Sequence, residues 1–446
     1  MPYVPHSDAD RAAMMKAVGI QKMDDLFQDV PAHLRYPKMD LPEPLSEMEL
    51  MAELTAMSER NADLKHFMCF LGAGAYCHYI PSVVDQIVSR SEFYTAYTPY
   101  QAEISQGTLQ GIFEYQSMIC ALTGMDVANA SHYDGATAVA EAVVMAHNVS
   151  RKKRRKVVVS PFLHPEYRAT TRTYTQGLEL TIVGDESVRN DLPALLSMVD
   201  EDTMCLIVQT PNFLGELEDL RGVADRVHSK GALLVVVADP ISLGLFQPPG
   251  EHGADIVVGE GQPLGNAINF GGPSLGFFAT RENLVHKMAG RLVGQTVDAE
   301  GRRGFVLTLS AREQHIRREK ATSNICSNEA LNALTAAVYM AALGKCGLRR
   351  VAELCYHKSH YAAHRIGRIP GFQVMTQKSF FKEFVVKCPV PVSDLNDGLL
   401  EWGIIGGYDL GRDYPEFTNH MLVCATETCT REEIEYFAEA LQEVAG

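Results

Sequence analysis

The chain has 446 residues, of which 46% are apolar, and a formal net charge of −15. That length and apolar content are enough for a large core, shared by a main domain and a smaller one. The acidic balance excludes a general affinity for nucleic acid, because nucleic-acid binders carry a basic surface.

The cysteines and the first residues of the chain indicate its compartment. The ten cysteines show no paired Cys-x-x-Cys spacing, which is typical of reduced, buried thiols and not of a disulfide framework or a metal site. The opening sequence MPYVPHSDAD has no signal-peptide core. No apolar run reaches the roughly 20 residues that a membrane span needs. We therefore expect a cytoplasmic protein with no metal and no membrane partner.

Residues 1–65 predict a helical arm. Ser7 is placed to cap a helix that ends near Val18, and Ser46 with Glu49 forms a capping-box pair at the start of another. Between them, the segment HLRYPKMDLPEP carries three prolines. Such a link is extended, and we expect it to pack on a surface, in one interpretation that of another subunit.

Residues 66–327 predict an α/β domain. Short, nearly continuous apolar runs alternate with helical patterns, which is typical of a mostly parallel sheet covered on both faces. The predicted strands are 156–160, 178–184, 204–210, 232–239, 255–259 and 275–280. Two of the helices between them are Ala136–Val149 and Asp219–Lys230.

Residues 328–446 predict a smaller α+β domain. It begins with a long helix at 328–344 and ends with the helical pattern REEIEYFAEALQEVA. Short strand-like runs such as KEFVVKC and HMLVCAT lie between them. No internal repeat is apparent along the chain.

One basic run, Arg151–Lys156, interrupts the acidic composition. It joins an apolar helical pattern to a predicted strand, so we interpret it as a solvated helix end that complements the helix dipole. A nuclear signal or an anion-binding patch is the alternative.

Two glycine-rich segments are candidates for phosphate binding. Gly72-x-Gly74 lacks the third glycine of a dinucleotide fingerprint, because Cys77 stands there. Asp134-Gly135 opens an alanine-rich helix, and free amides at such a start hold phosphate well. Asp134 is equally suited to cap the helix, which is our preferred interpretation, and its carboxylate would repel a phosphate.

The order of these segments resembles the aspartate-aminotransferase-like, fold type I pyridoxal-phosphate enzymes. In that family an acid at the Asp239 position pairs with the pyridinium nitrogen, and an asparagine near the Asn212 position contacts the ring hydroxyl. The lysine that binds the cofactor follows a later strand, in a place that corresponds to residues 254–278 here. That stretch contains no lysine, and none occurs between Lys230 and Lys287.

A closer resemblance is to glycine dehydrogenase (decarboxylating), the P-protein of the glycine cleavage system, and in particular to the first subunit of its split form. The segments that carry it are FLGAGAYCHYIPSVV, FYTAYTPYQAEISQGTLQGIFEYQSMICALTGM, NASHYDGATAVAEA, QTPNFLGELED and GGPSLGFFAT. The resemblance implies that a second subunit carries the pyridoxal-phosphate lysine. It also implies glycine as substrate, lipoylated H-protein as acceptor, and a heterodimer or a pair of heterodimers. On this basis the resemblance implies that Asp239 and Asn212 are family-equivalent cofactor positions that are vestigial in this chain.

Two segments are candidates for lining a site shared with that second subunit. The first is polar and aromatic, and its candidate residues are Tyr97, Tyr100, Gln101, Glu103, Ser105 and Gln106. The second follows the predicted cofactor strand, where related enzymes reach across to the other site's phosphate, and its candidates are Thr322, Ser323 and Asn324. The simpler alternative for both segments is helix capping, with Ser105 as one cap. His164 either caps a helix or faces the pocket.

Two other hypotheses remain open. A self-contained pyridoxal-phosphate enzyme would use Lys287 or Lys320, although Lys320 lies among charged residues and would keep a high pKa there. Alternatively, the chain is a structural or regulatory subunit that adds no groups to its partner's pocket.

Overall fold

The computed structural model describes residues 5–150, 153–269, 271–272 and 274–446. It forms two compact units, Met1–Asn61 and Ala62–Gly446. The boundary predicted near residue 327 lies inside the second unit, so the three-domain division stays a prediction.

Thirteen α-helices are assigned within the described residues. They are α1 Asp8–Val18, α2 Glu47–Ser58, α3 Ser82–Val88, α4 Ser91–Tyr94, α5 Gln106–Thr123, α6 Gly135–Val149, α7 Pro165–Thr175, α8 Leu192–Met198, α9 Val223–Ser229, α10 Gln314–Arg317, α11 Ala330–Ile366, α12 Val392–Glu401 and α13 Arg431–Ala445.

Fifteen strands are assigned over the same residues. They are β1 Met68–Cys69, β2 Val127–Ala128, β3 Lys156–Val159, β4 Thr181–Val183, β5 Thr203–Thr210, β6 Leu233–Ala238, β7 Ile256–Glu260, β8 Gly276–Thr280, β9 Leu292–Val297, β10 Arg303–Thr308, β11 Gln373–Val374, β12 Glu383–Lys387, β13 Ile404–Ile405, β14 Tyr408–Asp409 and β15 His420–Cys424.

The first unit contains helices α1 and α2 with short 3-10 turns between them, and the helical arm at 1–65 stays a prediction. Ser7 caps α1 as predicted, in a capping box with Asp10, and the predicted capping box of Ser46 with Glu49 is present. A short 3-10 turn lies at Met23–Phe27, between α1 and α2. None of the arm's described residues is buried.

A seven-stranded sheet with the order β2-β8-β7-β6-β5-β3-β4 forms the centre of the second unit. Strands β4, β3, β5, β6 and β7 are parallel, while β8 and β2 pair antiparallel at one edge. Alternate residues of β5 enter two different cores: Leu206 and Val208 belong to one, and Cys205 and Ile207 to the other. Both faces are therefore covered, which explains the continuous apolar runs.

The C-terminal part of the chain forms a second, antiparallel sheet with the order β11-β12-β15-β14. Its core includes buried residues of α12 and α13, such as Leu395 and Phe437. The rings of Phe70 and Phe437 stack at 4.1 Å, and β1 pairs parallel with β13. The segment just before the central sheet thus packs on the C-terminal elements.

The hairpin β9–β10 is a feature that the sequence analysis missed. Its strands pair antiparallel from Leu292↔Thr308 to Val297↔Arg303. Asp298 closes the turn by accepting from the amides of Glu300 and Arg302. The alternating residues on either side of the turn residues Asp298 and Gly301 are the pattern that could have predicted it.

Helix α11 is long and apolar enough, by length and composition alone, to cross a membrane. Core helices of soluble proteins have the same property, and two observations favour that interpretation here. Gly344 interrupts the helix with non-helical torsions (φ 59°, ψ −174°). Ala333, Ala336 and Tyr339 are buried in the core of the second unit. Packing against other elements therefore accounts for the apolar composition of α11.

Three cations of the predicted basic run form contacts within the chain. Lys156 donates to Asp200 at 2.8 Å, Arg154 donates to the carbonyls of Thr203 and Lys230, and Arg155 donates to that of Leu178. The first two residues of the run, 151 and 152, lie outside the described residues. Helix α6 ends earlier, at Val149, so these three cations contact strands and loops of the fold and not the helix end to which the run was assigned.

Candidate functional site at the carboxyl ends of the central strands

A cavity lies at the carboxyl ends of β5, β6 and β7, the edge of a parallel sheet where α/β proteins bind ligands. The elements around it bring together side chains that are far apart in the sequence. Its polar and aromatic lining consists of Tyr76, His164, Tyr167, Gln209, Asp239, Glu260, Phe381, Lys382 and Glu383.

Asp239, at the end of β6, forms an ion pair with Lys382. The Lys382 ammonium lies 2.6 Å from the Asp239 carboxylate, and both side chains are largely buried. The same ammonium lies 3.3 Å from the centre of the Tyr76 ring. Burial by itself lowers the pKa of Lys382, but the carboxylate of Asp239 and other negative neighbours outweigh it, so the pKa is raised. Lys382 is therefore a buried cation, and it is the charged partner of Asp239.

The start of helix α6 is filled by two carboxyl groups of the chain. Asp134 accepts a hydrogen bond from the Thr137 amide at 2.7 Å, so the capping interpretation of Asp134 is confirmed. Glu260, at the end of β7, accepts from the amides of Gly135, Gln262 and Leu275. Burial raises the pKa of Glu260 to about 7, although these hydrogen bonds oppose the rise. Two amides at this helix start, those of Gly135 and Thr137, therefore already have carboxylate acceptors.

Glu383, next to Lys382 on β12, is the third buried acid of the cavity. It accepts from the Ala73 amide at 2.7 Å and from the Tyr76 hydroxyl at 2.8 Å. Burial raises its pKa to about 7, even though the nearby Lys382 ammonium lowers it. The glycine-rich turn at 72–74, which was considered for nucleotide binding, thus makes its contacts with the cavity's own acid.

His164 caps a helix and also faces the cavity. Its Nδ1 accepts from the Glu166 amide at the start of α7, and its Nε2 lies 3.0 Å from the Ala73 carbonyl. Its ring stacks on Tyr167 at 4.6 Å. Burial lowers the pKa of His164, which favours the neutral ring. The two alternatives left open for this residue are therefore both realised.

Asn212 is buried, and its side chain organises a turn. Its carbonyl oxygen accepts from the amides of Leu214 and Glu216, and its nitrogen donates to Glu218 at 2.8 Å. All of these partners belong to the loop after β5. The cofactor contact expected for Asn212 from the family remains a prediction.

The first candidate segment, Tyr97–Gln106, lies outside this cavity, on the surface. Tyr97 and Tyr100 are 74% and 76% exposed, and their rings lie 6.2 Å apart. Gln101 and Glu103 are also exposed. Ser105 occupies the N-cap position of α5, but its side chain makes no capping hydrogen bond.

The last residue of that segment, Gln106, turns inward. Its side-chain amide bonds to the Phe305 backbone of β10 and to the Ala102 carbonyl. The segment therefore presents two tyrosines outward, while Gln106 makes its contacts inside the chain.

The second candidate segment, Thr322–Asn324, is attached to α6. The hydroxyl of Ser323 donates to Glu141 at 2.6 Å and accepts from the Ile325 amide. Burial raises the pKa of Glu141 to about 7, opposed by this hydrogen bond. The Ser323 hydroxyl is thus already bonded to two groups of the chain. The side chains of Thr322 and Asn324 are therefore the better candidates in this segment for a hydrogen bond to a partner subunit.

The two lysines of the self-contained hypothesis lie elsewhere. Lys287 and Lys320 are exposed, and neither is among the described residues that line the cavity. The lysine that does line it, Lys382, was missed because its partner Asp239 is remote in sequence. Glu260 was also overlooked, although it lies in the stretch 254–278, where the family's lysine was sought.

One cluster of the described residues has ligand atoms close enough for a metal, namely His78, Cys355 and Glu427. These groups already bond one another, since His78 Nδ1 lies 2.7 Å and Cys355 Sγ 3.3 Å from the Glu427 carboxylate. The ammonium of Lys382 lies 3.3 Å from His78 Nε2. A cation so close opposes a second, divalent cation.

Two solved structures of low sequence identity share this fold. A sphingosine-1-phosphate lyase of Burkholderia pseudomallei matches with a TM-score of 0.65 at 15% identity, over 93% of each chain. A NifS-like protein matches with a TM-score of 0.62 at 14% identity, over 85% of this chain and 99% of that one. The chain has the architecture of the fold type I pyridoxal-phosphate enzymes, as predicted.

More similar proteins define the family. The model of the glycine cleavage system P-protein family matches residues 1–441. A crystal structure of glycine decarboxylase (P-protein) of the glycine cleavage system, in inhibitor-bound form, matches with a TM-score of 0.91 and 45% identity over 100% of both chains. The chain therefore belongs to the P-protein family of the glycine cleavage system.

Curated relatives agree over the full length. The probable glycine dehydrogenase (decarboxylating) subunit 1 of Thermomicrobium roseum is 53% identical over 449 residues, 100% of both chains. That of Geobacillus kaustophilus is 52% identical over 442 residues, 98% of both. The predicted enzyme class, glycine dehydrogenase (decarboxylating) acting as part of a complex, is thereby confirmed.

Proposed function

We propose that this chain is the subunit of a two-subunit P-protein that does not bind pyridoxal phosphate, and that it completes the site of a cofactor-bearing second subunit. The assembled enzyme decarboxylates glycine and passes the aminomethyl group to the lipoyl arm of H-protein. Pyridoxal phosphate supplies the electron sink for losing CO2 when bound. This chain's share is to shape and close the partner's site.

One observation carries the proposal: in this chain's own cavity, the groups that would hold a cofactor are already bonded to other side chains of the chain. A bound cofactor would need a lysine, an acid free to pair with the ring nitrogen, and open amides for the phosphate. Here Lys382 already pairs with Asp239 at 2.6 Å. Asp134 and Glu260 already accept from two of the amides at the start of α6, and carboxylates there repel a phosphate. The residues present therefore do not fit the cofactor.

Lys382 does not replace the missing lysine. Its ammonium is held at the acid that would face the ring nitrogen, and its raised pKa keeps it protonated and so non-nucleophilic. The segment 254–278, where the family's lysine would stand, contains none. We infer that the cofactor is bound covalently by the partner subunit.

The exposed part of the candidate segment supplies the groups offered to the partner. Tyr97, Tyr100, Gln101 and Glu103 project from the second unit as a compact set of hydroxyl, amide and carboxyl groups. Exposed clusters of aromatic side chains are typical of interaction sites. Thr322 and Asn324 are the second set that we assign to the shared site.

The name subunit 1 carried by the relatives implies a partner subunit. We propose a heterodimer or a pair of heterodimers in the cytoplasm. All ten cysteines are free, which suits a reducing compartment.

The cofactor assignment is tested by spectroscopy and peptide mapping. The chain is mixed with pyridoxal phosphate alone and together with the second subunit, the visible absorption band is recorded, and the product is trapped with borohydride. We expect the band only in the mixture, with the label on a lysine of the second subunit. A label on Lys287, Lys320 or Lys382 of this chain would show a self-contained enzyme instead.

The contribution of the tyrosines is tested by Tyr100→Ala in the assembled complex. We expect turnover to fall about tenfold or more while assembly persists, because a lost positioning contact has that order of effect. Tyr174→Ala is the control, since Tyr174 is an exposed tyrosine on α7. Unchanged turnover for Tyr100→Ala would support the third hypothesis, a structural subunit without groups in the site.

A further inference from the structure

Two glutamines of helix α5 bind the hairpin β9–β10 in the same way. The side-chain amide of Gln106 donates to the Phe305 carbonyl at 2.9 Å and accepts from the Phe305 amide at 2.8 Å. Gln116 makes the same pair of bonds with Val293, both at 3.0 Å. Each side-chain amide thus donates to and accepts from the backbone of one strand residue, as the backbone of an adjacent strand would. Together they fix α5 to both strands of the hairpin.

Gln106 differs from Gln116 in one additional bond. Its nitrogen also donates to the Ala102 carbonyl at 2.9 Å. Ala102 lies in a turn closed by bonds from the Ile104 and Ser105 amides to the Gln101 carbonyl. Gln106 therefore links the tyrosine-bearing segment to β10, whereas Gln116 bonds only β9.

The turn around Ala102 has an inner and an outer side. Ala102 packs against a small core that includes Leu109 and Phe305. Tyr100 and Ile104, two residues to either side of Ala102, are 76% and 80% exposed. A shift of the Ala102 backbone would therefore move both exposed side chains together.

We propose that Gln106 is a positioning residue, which holds the segment 97–105 in the orientation that the partner subunit receives. This inference rests on the proposed function, in which Tyr100 reaches the shared site. Gln106 acts through the Ala102 backbone and not on substrate, so it is distinct from the lining role that its sequence position suggested. The surface that it orients is aromatic and carries a single charged side chain, Glu103, so it fits a largely uncharged face of the partner.

The chemistry requires an amide of this length at position 106. Methionine has a similar length but offers no N–H group and no carbonyl oxygen, so Gln106→Met removes all three bonds while filling the same space. Glutamate retains the acceptor for the Phe305 amide but places a carboxylate beside two carbonyls. Protonation returns one donor, so Gln106→Glu should recover activity relative to wild type as the pH falls.

The test compares Gln106→Met with Gln116→Met in the assembled complex. For Gln106→Met we expect kcat to fall about tenfold, the KM for glycine to change less, and the partner's cofactor absorption band to persist. Amide exchange of residues 100–105 in the full chain should become about tenfold faster. Gln116→Met is the matched control, because it breaks the same kind of pairing without touching the segment.

The outcomes separate this inference from the proposed function. A kcat for Gln106→Met equal to that of Gln116→Met, with Tyr100→Ala impaired, would overturn the positioning role alone. Normal turnover in Tyr100→Ala would overturn the role of the segment and this inference with it. If Gln106→Met does not assemble, unchanged amide exchange of residues 100–105 would overturn the inference, and faster exchange would support it.

Discussion

The buried ammonium of Lys382 gives the sharpest prediction about the fold. Its side chain is 2% exposed and that of Asp239 is 12% exposed, with the charged atoms 2.6 Å apart. Besides Lys382, Asp239 accepts from the amides of Ile241 and Ser242. Replacing Lys382 by methionine keeps the apolar stem but leaves two acids, Asp239 and Glu383, beside the cavity without their cation.

The expected cost follows from that burial. Removing one partner of a buried ion pair typically costs about 3 to 5 kcal/mol, because the remaining charge is left uncompensated. A matched control lies four positions earlier: Lys378 pairs with Glu216 and Glu218 at 3.6 Å, and its side chain is 51% exposed. Exposed pairs contribute less than about 1 kcal/mol. Lys382→Met should thus destabilise the chain several times more than Lys378→Met.

The free energy of unfolding is measured by urea denaturation at pH 8 for both variants. The double variant Lys382→Met/Asp239→Asn should regain part of the loss, because the uncompensated carboxylate is removed with its partner. A loss of less than about 1 kcal/mol for Lys382→Met, or no recovery in the double variant, would refute the view that this pair stabilises the cavity.

Two other buried positions give predictions of different origin. Burial raises the pKa of Glu141 to about 7 from 4.5, so its stabilising contribution is present below pH 4.5 and is lost as the pH rises through 7. Glu141→Gln should therefore gain up to about 3 kcal/mol relative to wild type between pH 5 and pH 8, and equal pH profiles would contradict this. Gly215 has φ +85°, and a Cβ there would overlap the Glu383 carbonyl, whereas Gly222 has φ +72° and open space. Gly215→Ala should cost about 3 kcal/mol or more and Gly222→Ala about 1 kcal/mol in urea unfolding; similar values would argue against the close approach at 215.

Features that depend on residues close together in the chain could be predicted from the sequence. Continuous apolar runs predicted β3, β5, β6, β7 and β8 to within a residue or two, because a strand covered on both faces has no polar side. Asp134 was placed correctly as a cap, since capping depends on the next three residues. The order of whole segments identified the family, because each segment is long enough to be distinctive.

The contacts between side chains that are remote in the sequence became known only from the tertiary structure. Nothing near Asp239 indicates that Lys382, from the strand segment of the second sheet, becomes its partner. Likewise, Gln106 belongs to a polar surface segment in sequence, yet its amide pairs with β10 inside the fold. A buried charge or amide is stable only with a partner, and the chain topology alone decides which partner reaches it. The family could be identified from the sequence. The packing of the second sheet against the first is what places the Lys382 ammonium beside Asp239 in the cavity.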